Sequence, residues 1–331
     1  MPESRHGVVM PATPLDEADF TNRLATALGT DVEPVSTLTG GASSLTYWTT
    51  VVDTGDKVVA KVCPPGLAPT RNRDMLRQAR AQRALQGSPV PAPAVLAEDA
   101  GAPPEVPPFF VMPLEPGECV ELAYLPPEQQ RPPEQVRSRQ LEVARLMGAL
   151  HTLDVASLGL DDEPVTTLAQ EAQRWTDSLD ACDEDLRAGS EDVGARLQAT
   201  LPATIDARLL HGDFRTGNVL AEGERVTSII DWEIWSIGDP RVDLAWFLLF
   251  VEDDRRESPP GTPSVDELLD LYQSSSGADV ADLDWFRALV RYKQFSAGAF
   301  ITRNARRRGA EVVPVDNTDN WLLTSARELL A

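Results

Sequence analysis

Histidine and cysteine are scarce in this 331-residue chain, at three each, and what that scarcity excludes narrows the chemistry at once. His6, His151 and His211 are too few for a multi-histidine metal centre, so any metal must rest on carboxylates and amides, which points towards Mg²⁺. Cys63, Cys119 and Cys182 are odd in number and far apart, which fits neither a disulfide framework nor a paired-cysteine zinc site. No run of about 18 apolar residues occurs, and Met1-Pro2-Glu3-Ser4-Arg5 leads into no apolar leader core. A cytoplasmic protein without a membrane span is the expectation. Basic residues are also in deficit, 30 against 52 acidic, for a net charge of −22. That sign argues against nonspecific binding to nucleic acid or to an anionic membrane.

What is present is an ordinary globular composition, 42% apolar and 25% charged. The length is about twice the usual ~150 residues of one domain, so two lobes are expected. Residues 15–28 suit a helix closed by Gly29, with Phe20, Leu24 and Leu28 on one face. A glycine-containing loop, Thr39-Gly-Gly-Ala-Ser-Ser44, then leads into Leu45-Thr-Tyr-Trp-Thr-Thr-Val-Val52, a turn at Asp53-Thr-Gly-Asp56, and Lys57-Val-Val-Ala-Lys-Val62. These read as two strands of a hairpin. A helix over 72–86 and a strand at Phe109-Phe-Val-Met112 complete a small β-rich lobe over 1–112. Pro113-Leu-Glu-Pro-Gly117 makes a short stiff connector, and 118–331 forms a larger lobe. That lobe reads as mainly helical, with Val143, Leu146, Met147 and Leu150 on one helix face running up to His151. Asp239 is expected to cap a helix with Pro240 at its first position, further helices fall at 265–273, 282–307 and 319–330, and one β interruption lies at 219–230.

Around that interruption stands the densest polar cluster of the chain, Leu210-His-Gly-Asp-Phe-Arg-Thr-Gly-Asn-Val219, followed by Ile229-Ile-Asp-Trp-Glu233. An Asp, an Asn five residues on, and a second Asp after a hairpin can converge. Phosphoryl transfer needs such a group: one carboxylate to direct the attacking hydroxyl, and an amide with a second carboxylate to hold Mg²⁺. Gly40 and Gly41 would let backbone approach phosphates, and Lys61 at a strand centre would place a cation on them. Separately, a two-glycine loop is an ordinary turn and a strand lysine an ordinary solvent-facing residue. The order in which these features occur along one chain carries the reading. The connector adds an adenine-binding expectation, since Pro113 and Pro116 leave few N–H groups: Pro113 C=O and Glu115 N–H would meet the ring, with Met112 packed behind.

His211-Gly-Asp-Phe-Arg-Thr-Gly-Asn218, with Ile230-Asp-Trp-Glu233 and Gly238-Asp-Pro-Arg-Val-Asp-Leu-Ala245, resembles the aminoglycoside phosphotransferase family. Thr39-Gly-Gly-Ala-Ser-Ser-Leu-Thr-Tyr47 and Leu150-His-Thr-Leu-Asp154 are similar to the branch found as the kinase-like portion of some acyl-CoA dehydrogenases. The resemblance implies an α+β, two-lobed, protein-kinase-like fold with a small β-rich N-lobe and a larger mainly α C-lobe. It implies ATP and Mg²⁺ as cofactors, with Asp213 as catalytic base, Asn218 and Asp231 on Mg²⁺, and Lys61 on the α/β-phosphates. Gly40, Gly41, Ser43 and Ser44 would cradle phosphates, while His211 and Asp243 brace the catalytic loop. Two departures stand out. Ser44 replaces the family's usual asparagine, and Gln78 stands where a helix normally supplies the lysine's carboxylate, so Lys61 is expected to lack a strong acidic partner unless Asp74 substitutes.

The expected partner is a small hydroxylated molecule. Glu252, Asp253 and Asp254 would suit a polycationic antibiotic if they are more than a solvated helix end. Trp285, Phe286, Arg291 and Lys293 would suit a metabolite or hydroxyacyl thioester if they are more than core. Gln78 favours a competing reading, a pseudokinase-like protein that binds nucleotide without transfer, whereas intact Asp213, Asn218 and Asp231 oppose it. A protein kinase is disfavoured because no activation loop or Ala-Pro-Glu segment fits between Asp231 and Gly238.

Overall fold

The computed structural model describes residues 15–38, 44–252, 255, 257–307, 309 and 320–331. The chain divides into two compact units, one of 1–116 with 227–234 and one of 117–226 with 235–331.

In the first unit, α1 (Glu17–Leu28) starts where the Asp16 carboxylate accepts from the Ala18 and Asp19 N–H groups, and ends at Gly29 in the left-handed region, as its sequence predicts. Strands β1 (Ser36–Thr37), β2 (Leu45–Thr50) and β3 (Lys57–Val62) follow, then α2 (Met75–Ala84), β4 (Ala97–Asp99) and β5 (Phe109–Pro113). They form an antiparallel sheet in the order β1-β2-β3-β5-β4. Its central strand β3 is buried on both faces, and residues 58–62 alternate between two covers. Val58, Ala60 and Val62 pack with Phe20 and Leu24 of α1. On the sheet's second layer, Phe110, the register partner of Lys61, packs with Met75 and Ala79 of α2. Lys61 is therefore 9% exposed, and the solvent-facing reading of this lysine is excluded. The segment 227–234 is held to this unit by Ile229 N–H on Pro91 C=O and by the Thr227 hydroxyl on Pro116 C=O.

The second unit contains α3 (Pro133–Thr152), α4 (Leu168–Asp180), α5 (Glu184–Arg187) and α6 (Glu191–Ala199). After these come β6 (Arg208–Leu210), β7 (Val219–Glu222), β8 (Arg225–Ile229, whose last three residues count with the first unit) and β9 (Ser236–Gly238). Helices α7 (Arg241–Leu249), α8 (Val265–Ser276), α9 (Leu283–Arg307) and α10 (Trp321–Leu329) complete it. The sequence does not show the β6–β9 pair, because each strand has only three residues and no room to show a period. Helix α9 runs through a core built with α4, α6, α7 and α10. Helices α3 and α8 touch closely at Gly148, where a Cβ would lie 2.6 Å from that of Ser275. The α7 cap differs from its expectation by one residue: Pro240 is the capping position, and Asp239 accepts from the Arg241 N–H and guanidinium. The reason is electrostatic, since Arg241 is buried and needs that carboxylate.

Candidate functional site

In the second unit, β6 delivers the chain to His211 and a loop that is pinned from beneath. The fully buried Asp243 carboxylate accepts the N–H of His211 at 2.7 Å and of Gly212 at 2.9 Å. Burial pushes that carboxyl up, but the neighbouring His151 and His211 and the backbone N–H of His211 outweigh it and hold it below the ordinary range. His151 Nε2 stands 3.5 Å from Asp243, and its Nδ1 is 2.8 Å from the Tyr272 hydroxyl on α8. The buried Lys293 ammonium of α9 donates to Gly212 C=O and lies 4.0 Å from the centre of the Trp246 ring. Desolvation lowers its pKa.

The loop so fixed presents Asp213. Its Oδ1 accepts from Trp246 Nε1 at 2.6 Å and Arg215 Nε at 3.1 Å, and its Oδ2 accepts from Asn218 Nδ2 at 2.7 Å. Asn218 Nδ2 also donates to Asp213 C=O at 2.9 Å, which turns the amide so that Oδ1 keeps its lone pairs. Sequence reasoning chose Asp213 and Asn218 but missed Trp246 and Arg215. Trp246 lies 33 residues away on a helix that reads as pure core, while Arg215 carried a signal, a cation two residues after the key acid.

In the first unit, Lys61 Nζ donates to Asp231 Oδ1 at 2.7 Å. This corrects the expectation that Lys61 lacks a strong acidic partner. A nearly buried ammonium without a counter-charge is costly, and Asp231 supplies the charge that Gln78 cannot. Asp74 does not substitute, because it caps α2 by accepting the Arg77 N–H, and Gln78 turns inward to donate to Asn72 C=O. Asp231 has φ 69°, a conformation unusual for a residue with a side chain, immediately before the turn of Trp232–Ile234.

The connector begins inside β5. Leu114 N–H bonds Lys57 C=O, so alternation turns Pro113 C=O away from β3, on the side where β4 pairs no further than Val111. Glu115 N–H makes no hydrogen bond among the described residues. Met112 is half-buried against the α2 side of the sheet. Gly40, Gly41 and Ser43 lie outside the described residues, as do Asp253 and Asp254; Ser44 is buried. Glu252 is no free acid for a polycation, since Arg287 binds it at 2.5 Å and Arg291 stands 3.7 Å away. Trp285, Phe286, Arg291 and Lys293 are all buried in the second unit, as the core reading of them has it.

Residues 34–289 match the model of the phosphotransferase enzyme family. The acyl-CoA dehydrogenase family member 11 of Rattus norvegicus is 26% identical over 294 residues, 83% of this chain and 37% of its own length. The chain thus spans about a third of that curated relative. Among solved structures, a Ralstonia eutropha protein classed with the aminoglycoside phosphotransferases superposes with a TM-score of 0.75 at 18% identity, over 96% of this chain and 98% of its own. A thermostable mutant of aminoglycoside phosphotransferase APH(4)-Ia, in ternary complex with ADP and hygromycin B, gives 0.60 at 16% identity over 94% and 97%. These likenesses show a kinase-like fold, in agreement with the small sheet-bearing unit and the mainly helical one.

Proposed function

The chain belongs to the phosphotransferase enzyme family, and from that premise we propose that it is an ATP-dependent kinase acting on a hydroxyl group of a small molecule. The observation that carries this reading is the Asp213 carboxylate, oriented by Trp246, Arg215 and Asn218 on a loop that Asp243 anchors. Asp213 directs the acceptor hydroxyl and takes its proton as the new oxygen–phosphorus bond forms and the bond to the β–γ bridging oxygen breaks, releasing ADP. Lys61 exchanges its Asp231 partner for the α/β-phosphates, and Pro113 C=O and Glu115 N–H hold adenine.

The donor chemistry fits Mg²⁺: Asn218, whose carbonyl oxygen accepts no hydrogen bond among the described residues, and Asp231, a carboxylate, would hold it as hard oxygen ligands. When bound, Mg²⁺ would neutralise charge on the phosphates. The ion pair of Lys61 with Asp231 weighs against the pseudokinase reading that Gln78 favours, because the lysine has an acidic partner. For the acceptor, Glu252 neutralised by arginine weighs against a polycation and favours a neutral or anionic alcohol.

The test pairs two variants with mass spectrometry of candidate alcohols, antibiotics and hydroxyacyl thioesters incubated with MgATP. Asp213→Asn should lower turnover by about 10²–10⁴ while MgATP binding by calorimetry persists. Asp231→Asn should weaken MgATP binding and turnover together. Normal turnover in either variant refutes the assignment.

A further inference from the structure

The loop that carries Asp213 and Asn218 contains a single short turn at Thr216–Asn218, too brief to hold its own shape. A segment far away in sequence holds it. Glu118 exchanges both backbone bonds with Ala221, each at 3.0 Å, and Leu122 N–H donates to the Thr216 hydroxyl at 3.2 Å. Between them lies Glu121, whose side chain is 11% exposed. Its Oε1 accepts the Thr216 hydroxyl at 2.5 Å, and its Oε2 accepts Gly217 N–H at 3.0 Å and Arg215 Nη1 at 3.3 Å. Three consecutive residues between Asp213 and Asn218 thus converge on one carboxylate. Arg215 carries the connection onward, since its Nε binds Asp213.

We infer that Glu121 is a positioning residue for phosphoryl transfer, setting the spacing of Asp213 and Asn218 through the Arg215–Thr216–Gly217 turn; this rests on the reading of Asp213 as the base. Glu121 does so as a multiple acceptor. Thr216 spends its proton on Glu121 and its lone pair on Leu122, so hydroxyl and carboxylate lock each other's orientation. A carboxylate suits the post because every input is a donor, the Ala123 N–H at 3.5 Å included, and one is a cation. An amide offers one oxygen to them and turns an N–H₂ towards the rest. Because the bonds are confined to one turn and its clamp, their loss should loosen the loop and leave the helical core in place.

The experiment compares wild type with Glu121→Gln, Glu121→Asp and Thr216→Val. Each is followed by hydrogen exchange of the 213–219 backbone, by thermal melting, and by steady-state hydrolysis of MgATP without added acceptor. Glu121→Gln should speed exchange at 213–219 at least tenfold, with core helices α7 and α9 unchanged. It should lower kcat about 10- to 100-fold, the scale expected for misplacement of about 1 Å. Glu121→Asp, which keeps the charge, should recover part of kcat. If Glu121→Gln fails to fold, Thr216→Val carries the same expectation. Exchange at 213–219 and kcat both within twofold of wild type would overturn the inference, as would a kcat loss matched by general acceleration of exchange throughout the second unit. Asp213→Asn runs alongside as a control. Should it hydrolyse MgATP normally, the reading of Asp213 falls, whereas the exchange measurement still decides whether Glu121 holds the turn.

Discussion

Replacing Asp243 by asparagine keeps size and shape while removing the charge that anchors the loop carrying Asp213. Two backbone donors meet this carboxylate, at 2.7 and 2.9 Å, in full burial. Hydrogen bonds to a charged group contribute about 1.5–3 kcal/mol each, and a buried donor left unmatched costs about 1–3 kcal/mol. Asparagine can accept one of the two N–H groups, as a weaker neutral bond, and sets its own N–H₂ against the other. The expected destabilisation is therefore about 3–5 kcal/mol, in the upper tail for single substitutions. The sign of its pH dependence is also set. The folded Asp243 pKa lies below the unfolded one, so its stabilisation is complete above the unfolded value near ~3.9 and is lost as pH falls through the folded value. Urea unfolding at neutral pH and at stepwise lower pH, down to about 2, should show a large difference between the two proteins at pH 7 that narrows on acidification. A loss under 1 kcal/mol at pH 7, or a gap that stays constant on acidification, would refute the anchoring role.

Glu115→Pro removes a connector N–H that makes no hydrogen bond among the described residues, and should weaken MgATP binding in calorimetry with circular dichroism unchanged; equal affinity would remove the adenine assignment. Glu118 is held down to about 2 chiefly by Arg131, against burial and with help from Arg139. Glu118→Gln should therefore destabilise the protein modestly at pH 7. Stability owed to Glu118 is present above the ordinary value near ~4.3 and lost as pH falls through about 2, so the variant's deficit should shrink over that window. A deficit that does not change between pH 7 and 2 would show that the pair with Arg131 and Arg139 at 2.5 and 2.9 Å contributes nothing.

Local rules made much of the fold legible. Asp16 and Gly29 bracket α1 because capping depends on nearest neighbours, and β3 stands at Lys57–Val62 where β-branched residues crowd. Long-range matters stayed hidden. Whether Lys61 has a counter-ion depends on Asp231, 170 residues later, and no property of either stretch announces the pairing. Trp246 looked like one more apolar residue of α7, since an indole N–H shows its value only when an acceptor comes within reach. Glu121 gave no signal at all. It sits in a sequence of mixed polarity, 94 residues or more from the turn it grips.

The membership of 227–234 in the first unit bears on how this gene could be cut or recombined. Neither unit is a continuous stretch of sequence. A fragment ending at Pro116 would lack Asp231, leaving Lys61 without its counter-charge, and would lack Ile229, which bonds Pro91. Swapping the codons for 1–116 with those of a homologue would join one parent's Lys61 to the other parent's Asp231. Chimeras should therefore inherit the eight codons for 227–234 along with the amino-terminal block, so that two separated exchanges, rather than a single crossover, make the natural unit of inheritance here.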